Sequence, residues 1–208
     1  PLSLVSSSKE RIMLQLDVLD PDAFMVYLER NWFTDAERCQ ATWYKLLDGH
    51  RALHKLRMDC LNRKGLLGLN QAILENGKKQ LQSALTSIVL YREQKNHQHP
   101  PVVVHCVRGK DRTGVFIMLC QSILRYSDQE MVEEYIRSER IFETEDSTIK
   151  TDGLIDKNFF RKAPREVMEE TIEWLRHRYG SIDAYLDDIG FDETWRQRFR
   201  VVVAAAGP

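Results

Sequence analysis

Cys106 and Arg112 are separated by five residues in the decapeptide His105-Cys106-Val107-Arg108-Gly109-Lys110-Asp111-Arg112-Thr113-Gly114. That spacing lets a loop wrap once around a phosphate-sized group, with the sulfur beneath it and a guanidinium at its side. A thiol surrounded by N–H groups, a helix terminus and the cations Arg108, Lys110 and Arg112 is expected to lose its proton near neutral pH. The thiolate would be a strong nucleophile. Arg112 can grip two oxygens bidentately and stabilise the equatorial charge of a transferring phosphoryl group, a geometry that lysine does not offer. Gly109 and Gly114 permit backbone conformations and close approaches that a Cβ would obstruct. The Thr113 hydroxyl is near enough in sequence to bond the sulfur and favour its departure when water attacks. His105 reads as a hydrogen-bonding group that shapes the loop rather than as a general base.

Two elements must hold these residues. The β-branched run Val102-Val103-Val104 precedes them, and Val115-Phe116-Ile117-Met118-Leu119-Cys120, apolar all round, follows. The first reads as a buried strand and the second as a buried helix, which makes the decapeptide the strand-to-helix turn between them. Backbone N–H groups converge at such a turn, and the helix N-terminus adds partial positive charge. The site is suited to an anion.

His-Cys followed by five residues, Arg and Thr resembles the phosphate-binding loop of the cysteine-dependent tyrosine and dual-specificity phosphatases. The Gly-Lys-Asp-Arg-Thr-Gly portion is most similar to an atypical subgroup, first recognised as bacterial and secreted-effector-like, that acts on phosphotyrosine, phosphoserine/threonine and phosphoinositides. Myotubularin lipid phosphatases share a related Asp-Arg-Thr ending. The likeness continues through Gln129–Ser138 and Tyr179–Leu186. It implies an α/β fold in which a phosphatase-type sheet is flanked by helices, a phosphocysteine intermediate, no cofactor and no metal. It also implies Cys106 as nucleophile, Arg112 as phosphate ligand, and Val107, Arg108, Gly109, Lys110, Thr113, Gly114 and His105 as the rest of the binding loop. Asp111 matches the carboxylate that the subgroup is thought to use as general acid. That role requires the neighbouring thiolate to raise its pKa, because a carboxyl beside Lys110 and Arg112 would otherwise stay ionised. The Asn-Phe-Arg-Asp-Leu-Gly-Gly stretch that usually opens the subgroup is not found upstream, so the expected fold is helix-rich and lacks its N-terminal strands.

Other classes fit less well. Gly109-Lys110 is not followed by Ser or Thr and lacks the earlier glycine of a nucleotide-binding loop, which argues against a kinase or NTPase. The formal charge of −1 gives no global attraction to nucleic acid, so any electrostatic steering is local. No apolar run reaches the length of a membrane span and no signal peptide is visible. Cys39, Cys60, Cys106 and Cys120 show no metal-ligand spacing, and a nucleophilic thiol implies a reduced, cytoplasmic setting. The substrate is read as a phosphorylated protein or a phosphoinositide, with Arg108 and Lys110 as rim cations that suit the latter. The alternative is a weak or inactive phosphatase-like module that binds phosphorylated lipid or protein. Oligomeric state is not legible.

One phosphatase domain is expected over 1–208, with a helical region at 23–94, the strand, loop and helix at 101–126, and C-terminal helices at 127–204. Leu2–Val5 could close a strand. Thr34 with Glu37 and Ser127 with Glu130 are capping boxes, each opening a helix. The first of these helices runs on to Gly65, and a later break is expected near Asn76-Gly77. Leu81, Leu85, Ile88 and Val89 fall on one helical face. The set Arg51, His54, Lys55, Arg57, Arg63 and Lys64 could make peripheral contact with a membrane, although a solvated helix face is the simpler reading. His97 and His99 have no partner at ligand spacing. Asp35 superficially fits an acid on a mobile loop, yet it falls in the first turn of a helix, where acids are favoured anyway. The acidic stretch 139–162 reads equally as a lid or as a surface loop. Pro164 opens a helix with an acidic start and basic end, closed by Gly180. Two short helices follow, with Trp195 and Phe199 facing the core.

Overall fold

The computed structural model describes residues 3–8, 11–94, 101–141, 154–156 and 160–204. A hairpin of β1 (Ser3–Ser8) and β2 (Arg11–Gln15) comes first, antiparallel, with Ser3 opposite Gln15 and an irregularity between Leu4 and Ser6. Helices follow: α1 (Pro21–Asn31), α2 (Asp35–Leu46), α3 (His50–Asn76), α4 (Lys78–Gln94), α5 (Asp111–Ile123) and α6 (Asp128–Arg137). A 3₁₀ turn at Ser138–Ile141 precedes α7 (Arg165–Tyr179), α8 (Ile182–Asp188) and α9 (Glu193–Ala204).

The architecture is helical. Among the described residues the β1–β2 hairpin is the one sheet, and the expected phosphatase-type sheet beside the loop is not present. Residues 101–106 have no strand pairing. A strand is held by a neighbour's N–H and C=O groups, and no neighbouring strand lies there. Val103 is accordingly 82% exposed, while Val104 packs partly on the core.

α3 is the axis of the molecule, touching α1, α2, α4, α5 and α7. Leu53, Met58, Leu61, Leu66, Ile73 and Leu74 are buried along it. It bends at Gly65, whose φ of 62° lies in the left-handed region that glycine tolerates. The single helix expected from the Thr34 cap up to Gly65 is instead two, α2 and α3, broken at 47–49 where Asp48 takes φ 54°, and the second turns at Gly65 and continues to Asn76, where Gly77 ends it. Leu81, Leu85 and Val89 of α4 are fully buried, with Ile88 packed partly on the core.

Local signals at the helix ends are met. Thr34 and Ser127 each accept from the N3 amide, and Glu37 and Glu130 return the bond to the cap amide. Gly180, at φ 89°, closes α7. α7 is tied to α6 by ion pairs of Arg165 with Glu133 and Arg176 with Asp128. In α9, Phe199 is buried and meets Phe191 edge-on at 6.3 Å, and Trp195 stacks on Phe191 at 6.0 Å. Asn62 of α3 fixes the chain at 154–156, donating to Leu154 O at 2.7 Å and accepting from Asp156 N at 3.1 Å. His97, His99 and most of the acidic stretch 139–162 lie outside the described residues.

Val115, Phe116, Met118, Leu119 and Ile123 bury three sides of α5, so this helix is a rigid mount for the loop before it. Leu119→Ala should destabilise the protein by about 2–5 kcal/mol in urea unfolding, from lost burial plus a cavity. Ser127→Ala, which removes only a cap, should cost about 1 kcal/mol.

Candidate active site

The decapeptide forms the loop at the N-terminus of α5. Residues 107–110 bend sharply and Gly109 takes φ 65°, with open space where its Cβ would stand. A side chain would be strained there by backbone conformation rather than by crowding. At Gly114 the constraint is reversed. A Cβ would lie 2.9 Å from Cδ2 and 3.1 Å from Cε2 of Tyr135, so this glycine lets α6 approach α5 closely.

Cys106 is half-buried at the centre of the loop. Burial pushes its thiol up, but the Thr113 hydroxyl and the backbone amides of Thr113, Arg108 and Lys110 all act on the sulfur as hydrogen-bond donors and outweigh it. The net pKa is lowered. The amides of two loop residues and one residue of the first helical turn thus point into one small volume, the arrangement an oxyanion needs. Thr113 Oγ1 is buried with no hydrogen-bond partner, close enough to Cys106 to help lower its pKa and free to bond the sulfur. The other thiols with displaced pKa values move the opposite way: burial raises Cys60 and pushes Cys120 up to about 12.

The N-terminus of α5 carries no side-chain cap, in contrast to α1, α2, α6 and α8, whose first-turn amides are met by Asp20, Thr34, Ser127 and Ser181. Free first-turn amides at a helix start favour an anion. Arg112 and Arg108 are half-buried beside them, and among the described residues neither guanidinium has an ion-pair or hydrogen-bond partner. His105 is exposed, with Nδ1 3.2 Å from Cys106 O, a bond it donates when the proton is on Nδ1. Val107 is 80% exposed at the mouth.

Lys110 departs from the sequence expectation. It was read as a rim cation, but its side chain is fully buried and its ammonium pairs with the adjacent Asp111 carboxylate. An exposed lysine would keep its hydration. This one has exchanged it for a single carboxylate in a low-dielectric pocket, an arrangement that is costly to break from either side. Asp111 is brought to the loop as expected, and its carboxyl is engaged by Lys110.

Asp35 does not reach the loop's chemistry: it is almost wholly exposed and pairs with Arg38 at 2.7 Å. Three of the basic residues on α3 are also paired within the chain, Lys55 with Asp59, Arg57 with Glu29 and Arg63 with Glu37. Among the described residues no helix is long and apolar enough to cross a membrane, and no group of three His, Cys, Asp or Glu could hold a metal.

Sequence reasoning missed one site residue. Tyr135 of α6 is buried against Gly114, and its hydroxyl is buried without a partner. Its only sequence signal was a glycine at the first turn of an otherwise bulky helix, which implies that something must come close.

The loop, the bare helix start and the acidified thiol together suit the capture of a phosphate group and attack on it. The sequence model described as the tyrosine phosphatase family matches residues 33–203, which takes in the loop and all of α3 to α8. No curated protein matches the chain. The chain belongs to the tyrosine phosphatase family.

Proposed function

We propose that the protein hydrolyses phosphate monoesters through a phosphocysteine intermediate, with an aryl phosphate such as phosphotyrosine as its substrate. The observation that carries this reading is the lowering of the Cys106 thiol by one hydroxyl and three amides of its loop, six residues before an Arg112 that has no partner among the described residues. In the first step the thiolate attacks phosphorus in line, the bond from phosphorus to the ester oxygen breaks, and Asp111 gives that oxygen a proton. Arg112 and the loop amides hold the three equatorial oxygens, whose charge is largest at the transition state. In the second step water attacks phosphorus, its proton passes to Asp111, and the sulfur leaves as thiolate assisted by the Thr113 hydroxyl. The Gly-Lys-Asp-Arg-Thr-Gly sequence supports a place in the atypical subgroup it resembles.

Two features favour an aryl ester over a polyphosphorylated lipid headgroup. Burial of Lys110 removes one of the two rim cations expected for a polyanion, which leaves Arg108. The exposed Val107 offers an apolar surface to a ring at the loop mouth. On equal phosphate concentration, turnover of a phosphotyrosine peptide should exceed that of phosphoinositide micelles, and Arg108→Ala should leave the order unchanged. The reverse order would transfer the assignment to lipid.

The nucleophile is tested by alkylation. The rate of Cys106 modification by iodoacetamide should rise with pH through a midpoint below the value of about 8.5 for an ordinary thiol, because only the thiolate reacts. Thr113→Ala removes a donor and should move that midpoint upward. Cys60 and Cys120, both raised, should stay unmodified near neutrality. Hydrolysis of 4-nitrophenyl phosphate should persist in chelator and fall to background in Cys106→Ser. Retained turnover in that variant would remove the covalent route.

A further inference from the structure

Tyr135 is a buried polar side chain at the site that the proposed mechanism leaves without work. It lies on α6, is only 4% exposed, and rests its ring against the bare Cα of Gly114. Asp111 and Gly114 stand three residues apart on α5 and so share a helix face, which directs the ring covering Gly114 toward Asp111. The Tyr135 oxygen is buried with no hydrogen-bond partner. Such a group is costly unless something meets it during the working cycle. The charges that face it are the carboxylates of Asp111 on α5 and Glu139 on the 3₁₀ turn. Burial first, and then these two carboxylates, push the phenol far above its usual range, so the hydroxyl keeps its proton and has it to donate to a carboxyl oxygen. Glu139 already accepts from Ala163 N at 3.3 Å, whereas Asp111 is held by Lys110 alone.

Building on the proposed role of Asp111, we propose that Tyr135 is a positioning residue for the general acid: its hydroxyl donates to one oxygen of the Asp111 carboxyl when bound phosphate shares the Lys110 ammonium. The other oxygen, protonated from solvent once the ammonium's hold has weakened, is then turned toward the leaving group. Before that, Lys110 holds Asp111 and the tyrosine is unengaged. When a phosphate dianion enters the loop, the buried ammonium has a second anion to face and its hold on the carboxylate weakens. The tyrosine takes over orientation without exchanging its own proton.

The experiment compares Tyr135→Phe and Asp111→Asn on two esters, 4-nitrophenyl phosphate, whose leaving group needs no acid, and phenyl phosphate, whose leaving group does. Tyr135→Phe should lower kcat/KM, which reports on the ester-cleaving step and not on the shared hydrolysis of phosphocysteine, by about ten-fold on phenyl phosphate, the scale of one lost hydrogen bond, with the 4-nitrophenyl phosphate value within about two-fold of wild type. Asp111→Asn should show the same selectivity with a larger loss, about a hundred-fold or more. The Cys106 alkylation rate should be the same in Tyr135→Phe and wild type, which marks an intact loop. Equal losses on both esters, no loss on either, or an altered alkylation rate in Tyr135→Phe would reduce the residue to packing and overturn the proposal, even with Asp111→Asn selective. If Asp111→Asn is itself unselective, the acid has been misassigned and the role of Tyr135 falls with it.

Discussion

Everything at the site depends on a contest over one sulfur atom. Removing a thiolate from water opposes its formation, and a half-buried cysteine with no other influence would hold its proton more tightly than a free one. Here the loop reverses the balance with four donors aimed inward, three of them backbone amides that have no freedom to turn away. Cys120, fourteen residues later in the same chain segment, shows the other outcome: burial without such donors takes its thiol to about 12. The difference between a nucleophile and an inert core residue is therefore the direction of a few N–H bonds. Those directions are set by the sharp bends at 107–110 and by the burial of α5 behind them.

The cations of the loop do unequal work. Arg112 and Arg108 stand without partners among the described residues, as groups that meet an anion must. Lys110 is committed to Asp111 and removed from water. Three positive side chains within five residues look alike in a sequence, but burial divides them into two left open to an anion and one already engaged with a neighbour. Charge counting along a loop overstates what its rim offers a ligand.

Much of the site was legible because its chemistry is local. The spacing of Cys106 and Arg112, the need for Gly109 at positive φ and the bare start of α5 all follow from one decapeptide. The capping boxes at Thr34 and Ser127 were equally plain, since each is closed within four residues. What escaped was non-local. The Val102–Val104 run has strand composition, but composition does not supply a neighbouring strand, and the surroundings of that run decided the outcome. Likewise the burial of Lys110 and the approach of Tyr135 to Gly114 depend on where α6 is laid across α5, which no spacing within either helix records.

Val102 and Val103 carry a further consequence. Two β-branched side chains lie open to solvent beside backbone groups that no strand pairs, an arrangement that folded proteins usually cover or interrupt with charge. At high concentration a second molecule supplies β-branched backbone of the same kind, so self-association is expected to begin at a run only a few positions from the sulfur.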